Sequence, residues 1–417
     1  MHQIKPITSF DLTIDAPCSK SEAQRAIALS LCINGKTTIK GLSECNDIAI
    51  AIKIIKKCGA IINWNNDKLE INSKGILLEK NTLIDAQESG LSCRMFTSLI
   101  ASQEIPFKIV GSGSLLNREM SFFEKHFSEL NASIKTNNHK LPFEVNGPIK
   151  RRTIEIDSMG SSQYITGLIY AFFYLNANNV SIFIKNPVST PYIDLSIETA
   201  NKFGANIKRN NNEIIFKSKK TLNKCELEIE GDWSAGAFWL VAGAIYGKIK
   251  INGLKLNSAQ ADKRIMDALK EFGASIQSSN NSIVIEKYRN KTIDFDATNC
   301  PDLFPPLAVL CSYSDGISKI HGVDRLINKE SNRSNSIIKE FLKFGIKIWI
   351  KNDTMFIDGT SKLMTPKEPI NSHNDHRIAM ATSILSLGCK SNVKIDNIKC
   401  VNKSYSTFYN NIDKLYI

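Results

Sequence analysis

Residues 17–31 read PCSKSEAQRAIALSL, from Pro17 to Leu31. Ser19 and Glu22 fit the S-x-x-E capping box, which makes Ser19 the N-cap of a helix. Ala23, Ala26, Ile27, Ser30 and Leu31 then recur at helical spacing and define one inward face. Lys20 stands in the first turn, where the helix dipole is already positive, and Ser21 and Arg25 share a face four residues apart. Free backbone N–H groups, a hydroxyl and two cations at one helix tip suit an anion. Taken alone, the stretch reads as a solvated amphipathic helix. The reading changes because the pattern returns five more times.

Helix starts recur at Ser19, Gly90, Ser161, Asp232, Asp302 and Asp375, separated by 71, 71, 71, 70 and 73 residues. A second marker keeps step. Helices end at Cys58-Gly59-Ala60, Leu130-Asn131-Ala132, Phe203-Gly204-Ala205, Phe272-Gly273-Ala274 and Phe344-Gly345-Ile346, where Gly or Asn suits a left-handed C-cap. Each end leads into alternating apolar residues around an Asn/Asp turn, as in IINWNNDKLEI, a hairpin signal. The unit is therefore helix, strand, helix, hairpin, and five copies are complete. The sixth, from Asp375, lacks its hairpin, and His2–Asp15 has the strand character to supply the missing strands. Six units divide three and three, with crossings near Ala16–Ser19 and Glu228–Asp232. The expectation is an α/β protein of two domains, one formed by residues 1–19 with 231–417 and the other by residues 20–230.

Cations fall in register on this repeat: Lys20, Arg94 and Arg377 at first helices, and Arg118, Lys329, Arg333 and Lys403 at second helices. Each opposes the dipole at a cost of about 0.3–1 kcal/mol. Seven such placements point to a cleft that holds several negative charges.

The 417 residues are too many for one small core. The net charge of +12 fits anionic partners, but no run of five or six basic residues marks a nucleic-acid arm. Ten cysteines lie scattered without a C-x-x-C, and the six histidines form no zinc-like spacing with them. Reduced thiols are expected. MHQIKPITSF has no apolar signal core, and Ala235–Tyr246 is too short to span a bilayer. A cytoplasmic, monomeric protein without membrane or nucleic-acid partners is expected.

The motifs P-C-S-K-S-x-x-x-R, G-S-S-Q, S-T-P-Y-I-D, E-G-D-W-S, K-E-S-N-R and N-D-H-R-x-A-M occur in that order across the chain. As a set it resembles the enolpyruvyl transferases, and among them the 5-enolpyruvylshikimate-3-phosphate synthase family. The resemblance implies two domains of three βαβαββ units each, with the active site in the cleft between them. It implies transfer of the enolpyruvyl group of phosphoenolpyruvate to the 5-hydroxyl of shikimate 3-phosphate, with release of phosphate and with no metal or organic cofactor. Matched motif by motif, shikimate 3-phosphate should meet Lys20, Ser21, Arg25, Ser161, Ser162, Gln163, Ser189, Tyr192, Asp302 and Lys329. Phosphoenolpyruvate should meet Lys20, Gly90, Arg118, Gln163, Arg333, Arg377 and Lys403. Asp302 and Glu330 resemble the residues that take and give protons, with Lys20 as a further proton carrier. The residue types suit the task, because Arg forks match carboxylate and phosphate bidentately and Lys acts as a point charge.

Each residue singly has a plainer reading. Asp302 fits a helix cap, Glu330 and Arg333 a surface i,i+3 pair, Ser161 and Ser162 capping hydroxyls, His376 a structural residue and Cys93 a buried thiol. The ordered set outweighs these readings. The chain also departs from the family pattern: Glu88 and Leu91 stand where Asn and Thr are frequent, Glu119 where Pro is, and Arg325 where Asn is. Two other functions compete. The sister enzyme acting on UDP-N-acetylglucosamine carries a reactive cysteine, or an Asp, on a loop matching Val110–Arg118, which here has neither. A basic nucleic-acid-binding repeat protein would interleave aromatics with its cations, and no such pattern runs in register.

Overall fold

The computed structural model describes residues 1–360 and 362–416. Its helices are α1 Lys20–Leu29, α2 Asn46–Lys57, α3 Gly90–Ile100, α4 Phe122–Phe127, α5 Ser162–Tyr174, α6 Thr190–Lys202, α7 Trp233–Tyr246, α8 Ile265–Phe272, α9 Phe304–Cys311, α10 Arg333–Leu342, α11 His376–Ser386 and α12 Phe408–Asp413.

The odd-numbered helices open the repeats. Side chains of Ser19, Ser89, Ser161, Asp232 and Asp375 accept backbone N–H bonds at the starts of α1, α3, α5, α7 and α11. The first-repeat, third-repeat, fourth-repeat and sixth-repeat caps are thus the expected residues, whereas Ser89 rather than Gly90 caps α3. Asp302 is not a cap. It lies inside the 3-10 turn Pro301–Leu303, and α9 begins at Phe304. Pro305 and Pro306 open α9 without an N–H to satisfy, which leaves the Asp302 carboxylate for other partners. The even helices α2, α4, α6, α8 and α10 are followed by left-handed residues at Gly59, Asn131, Gly204, Gly273 and Gly345, as the sequence predicts.

In a complete module the first strand pairs in parallel with the second, and the hairpin adds its fourth and then its third strand antiparallel. Thr82–Asp85 lies beside Phe107–Val110, then Lys140–Asn146, then Ser133–Asn137. The modules of the two crossings exchange first strands. Asp11–Asp15, just before α1, pairs in parallel with Lys248–Asn252, while Lys224–Glu228, just before α7, pairs in parallel with Asn34–Lys40. His2–Ile4 pairs antiparallel with Val393–Ile395. The segment His2–Asp15 therefore divides: only its first strand serves the sixth module, and its second completes the fourth. The result is five four-stranded sheets and one two-stranded sheet among the described residues.

Two compact units result. Unit 1 is Met1–Pro17 with Glu230–Ile417, and unit 2 is Cys18–Ile229. Hydrogen bonds place the boundaries at 17/18 and 229/230 rather than at 19/20 and 230/231. Asp232 N donates to Pro17 O and Gly231 N to Gly253 O in unit 1, while Cys18 N donates to Ser43 Oγ and Ile229 N to Lys40 O in unit 2.

Within unit 2, α3 packs against α1 and α5; within unit 1, α7, α9 and α11 pack together. These helices are buried nearly all round. The sequence pattern predicts one inward face for α1, but every residue from Glu22 to Leu29 is buried. Polar residues at the first turns are consequently buried polar groups that need partners. All ten cysteines are free thiols. Among the described residues no helix is long and apolar enough to cross a membrane.

Candidate functional site

In unit 2 the polar groups gather at the first turns of α1, α3 and α5. Arg25, 1% exposed, donates to Ser196 Oγ at 2.9 Å, Ser21 O at 2.8 Å, Thr166 Oγ1 at 3.4 Å and Tyr192 O at 3.4 Å. All four acceptors are neutral oxygens. Burial pulls the guanidinium below its ordinary pKa, and Tyr170, Tyr192 and Glu22 oppose that shift. A buried cation with only neutral acceptors is suited to take the full charge of an anion. Glu22 is engaged by Lys202 Nζ at 2.9 Å. Lys20 pairs with Asp47 at 2.9 Å. The pairing of Asp47, in the first turn of α2, was not legible in the sequence, because acids at a helix start are ordinary.

Two guanidinium groups close around Gly90. A Cβ built there would stand 2.8 Å from Arg118 NH1, 2.9 Å from Arg94 NH1 and 3.8 Å from Gln163 Oε1. Arg94 donates to Gln163 Oε1 at 2.8 Å and lies over the Tyr164 ring, 5.1 Å from its centroid. The structure thus joins Gly90, Arg118 and Gln163 and adds Arg94, whose only sequence signal was its place in the register of cations. Ser161 caps α5, and Ser162 is buried beside it. Ser189 precedes α6 in a left-handed conformation, φ 50°, which costs a non-glycine residue about 1–2 kcal/mol and turns the chain so that Tyr192 N reaches Ser189 O.

In unit 1 every predicted residue enters one network. Asp302 accepts from Arg333 NH1 at 2.7 Å, Arg377 NH2 at 3.1 Å and Lys329 Nζ at 3.4 Å. Arg333, 1% exposed, also donates to Glu330 at 2.6 Å and Asp375 at 2.8 Å. Lys403 stands 3.6 Å from Glu330. Three carboxylates (Asp302, Glu330 and Asp375) face four cations (Lys329, Arg333, Arg377 and Lys403), so the cluster carries excess positive charge. Burial by itself would raise the Asp302 pKa, but Arg377, Lys329 and Arg333 outweigh it and hold the carboxyl well below its usual range. Burial depresses Lys329, against the pull of Asp302. Glu330 and Arg333 are an i,i+3 pair but not a surface one. His376 and Cys93 are buried.

The four departures from the family pattern find places. The Glu88 carboxylate lies against Gly113 so closely that a Cβ there would overlap it, which puts it on the turn Gly113–Asn117 just ahead of Arg118. Leu91 points into the interior and Glu119 is exposed. Arg325 is a further cation facing Asp302, its pKa lowered by burial.

A two-unit α/β protein of this kind, with cations and hydroxyls at the first turns of its inner helices, has the fold of the enolpyruvyl transferases. The enolpyruvyl transferase NikO from Streptomyces tendae superimposes with a TM-score of 0.77 at 13% identity, over 99% of this chain and 97% of that one. An EPSP synthase from Acinetobacter baumannii does so with a TM-score of 0.82 at 23% identity, over 99% and 97%. The family model EPSP synthase (3-phosphoshikimate 1-carboxyvinyltransferase) matches residues 4–412. The 3-phosphoshikimate 1-carboxyvinyltransferase of Clostridium novyi (strain NT) is 34% identical over 426 residues, spanning 100% of this chain and 98% of that protein. The one from Clostridioides difficile (strain 630) is 34% identical over 414 residues, spanning 96% and 94%. The chain belongs to the EPSP synthase family.

Proposed function

We propose that the enzyme transfers the enolpyruvyl group of phosphoenolpyruvate to the 5-hydroxyl of shikimate 3-phosphate and releases phosphate. The observation that carries this reading is the Asp302 carboxylate, ionised and held by Arg333, Arg377 and Lys329 in a chain that matches the family from end to end.

Shikimate 3-phosphate is assigned to Lys20, Ser21, Arg25, Ser161, Ser162, Gln163, Ser189, Tyr192, Asp302 and Lys329. Phosphoenolpyruvate is assigned to Lys20, Gly90, Arg118, Gln163, Arg333, Arg377 and Lys403. To the second set we add Arg94, because its guanidinium flanks Gly90 as that of Arg118 does. The donors of Arg333 are spent on three carboxylates, so it contributes charge to the anion and opens only when Asp302 or Glu330 lets go.

In the addition step the 5-oxygen bonds to C2 of phosphoenolpyruvate, Asp302 takes the hydroxyl proton and Glu330 protonates the methylene carbon C3. In the elimination C3 returns a proton, the C2–O bond to phosphate breaks, and the double bond re-forms. A carboxylate held by three cations is a weak base, since general bases work best with a pKa near the working pH. Substrate anions offer Lys329 and Arg377 competing acceptors, which frees Asp302 and raises its proton affinity when it is needed. The test is phosphate release from phosphoenolpyruvate with shikimate 3-phosphate, beside UDP-N-acetylglucosamine as acceptor. Release with the sugar nucleotide alone would overturn the reading.

A further inference from the structure

Unit 1 contains a carboxyl group that the reaction above does not use. Asp262, in the 3-10 turn Ala261–Arg264, is 0% exposed. Its Oδ2 shares a hydrogen bond with the Ser234 hydroxyl, and its Oδ1 has no partner among the described residues. Among the described residues no ion pair is made to either oxygen. An ionised carboxylate so placed keeps its whole desolvation penalty with one hydroxyl in return, so the neutral acid is favoured. Asp302 and Asp232 face it and add repulsion, Arg377 opposes them, and the Cys300 thiol also faces it. Burial first and Asp302 second push the Asp262 carboxyl up to about 7.

Ser234 links this acid to the first turn of α7. It is half-buried, two residues after the cap Asp232 of α7. The same position after the cap is held by Ser21 in α1, Gln163 in α5 and Arg377 in α11, all three assigned to substrates above. A serine hydroxyl has one proton to donate. When Asp262 is neutral, the acid donates to Ser234 Oγ and the serine proton turns outward to an acceptor. When Asp262 is ionised, the serine must donate inward and shows only lone pairs to an incoming anion.

We propose that Ser234 is a further hydrogen-bond donor to the anionic substrates on unit 1, and that Asp262 is the positioning residue that turns its proton outward. This rests on the proposed reaction. The test measures KM and kcat for both substrates by phosphate release between pH 5.5 and 9, in the full-length parent and in Ser234→Ala and Asp262→Asn, with calorimetric binding of shikimate 3-phosphate and of phosphoenolpyruvate alongside.

In the parent, KM for at least one substrate should rise as Asp262 loses its proton. Ser234→Ala should raise that KM about tenfold at pH 6, the worth of one hydrogen bond to an anion, with kcat changed less, and should abolish its pH dependence. Asp262→Asn, whose amide keeps a donor toward Ser234 at every pH, should hold KM flat at its low-pH value. Should Asp262→Asn not fold, the pH-independent KM of Ser234→Ala decides. Parent-like profiles in both variants would overturn the proposal. Binding of both substrates that weakens in Ser234→Ala, in a parent without turnover, would instead count against the proposed reaction while upholding the donor.

Discussion

Arg333 Nε donates to Asp375 Oδ2 at 2.8 Å, and both side chains are buried. Asp375 Oδ1 also accepts from Arg377 N at 3.0 Å and so caps α11. One carboxylate thereby fixes the start of α11 to the first residue of α10. Asp375→Asn should cost about 3 kcal/mol, since removing one partner of a buried pair leaves the other charge undercompensated. Urea denaturation checks this. A loss below about 1 kcal/mol would mean that Asp302 and Glu330 alone satisfy Arg333.

Asp302→Asn keeps shape and hydrogen bonding but removes the proton acceptor. Turnover should fall about 10²–10⁴-fold, with KM changed far less. Steady-state kinetics decide, and turnover within a few-fold of the parent would make Asp302 an organiser of cations only.

The proton of Asp262 predicts a pH effect on stability. The folded state keeps that proton up to about pH 7, whereas an unfolded Asp loses it near 3.9. Across that window the folded state binds more protons, so this group lowers stability as pH rises, by up to about 1.4 kcal/mol per unit. Asp262→Asn has no such proton. Its stability relative to the parent should climb between about pH 4 and 7 and then level off, as read by denaturation at each pH. A constant difference would show that Asp262 is already ionised.

Gly90 predicts inhibitor selectivity. In the enzymes this chain resembles, glyphosate occupies the phosphoenolpyruvate site, so the parent should be sensitive. A methyl at residue 90 would press on the ends of Arg118 and Arg94, flexible groups that yield rather than backbone. Gly90→Ala should fold normally and raise the glyphosate inhibition constant about tenfold or more, by steric overlap of 1–3 kcal/mol, and the KM for phosphoenolpyruvate by less. Equal changes would show a general disturbance of both arginines.

Activity should survive exhaustive chelation, because the proposed steps use only Asp302 and Glu330 as proton carriers. Loss with chelator, restored by a divalent ion, would contradict that.

The modular order was legible in the sequence because it is local. A cap such as Ser19 or Asp375, a left-handed residue such as Gly204 or Asn131, and an Asn-rich turn act within a few residues of themselves. Their recurrence at about 71 residues therefore told the repeat directly. The family likeness pointed to charged residues in both units for the same reason, since motifs are contiguous strings. Strand pairing is non-local. Nothing in DLTID or KCELE says that Asp11–Asp15 joins Lys248–Asn252 and Lys224–Glu228 joins Asn34–Lys40, because any alternating strand pairs with any free edge until the chain is compact. The unit boundaries at 17/18 and 229/230 follow from that exchange. Charge partnership is non-local too. Asp47 beside Lys20, Arg94 beside Gly90 and Asp262 behind Ser234 are ordinary residues in sequence, and become functional candidates only when burial strips their water and leaves particular neighbours to replace it.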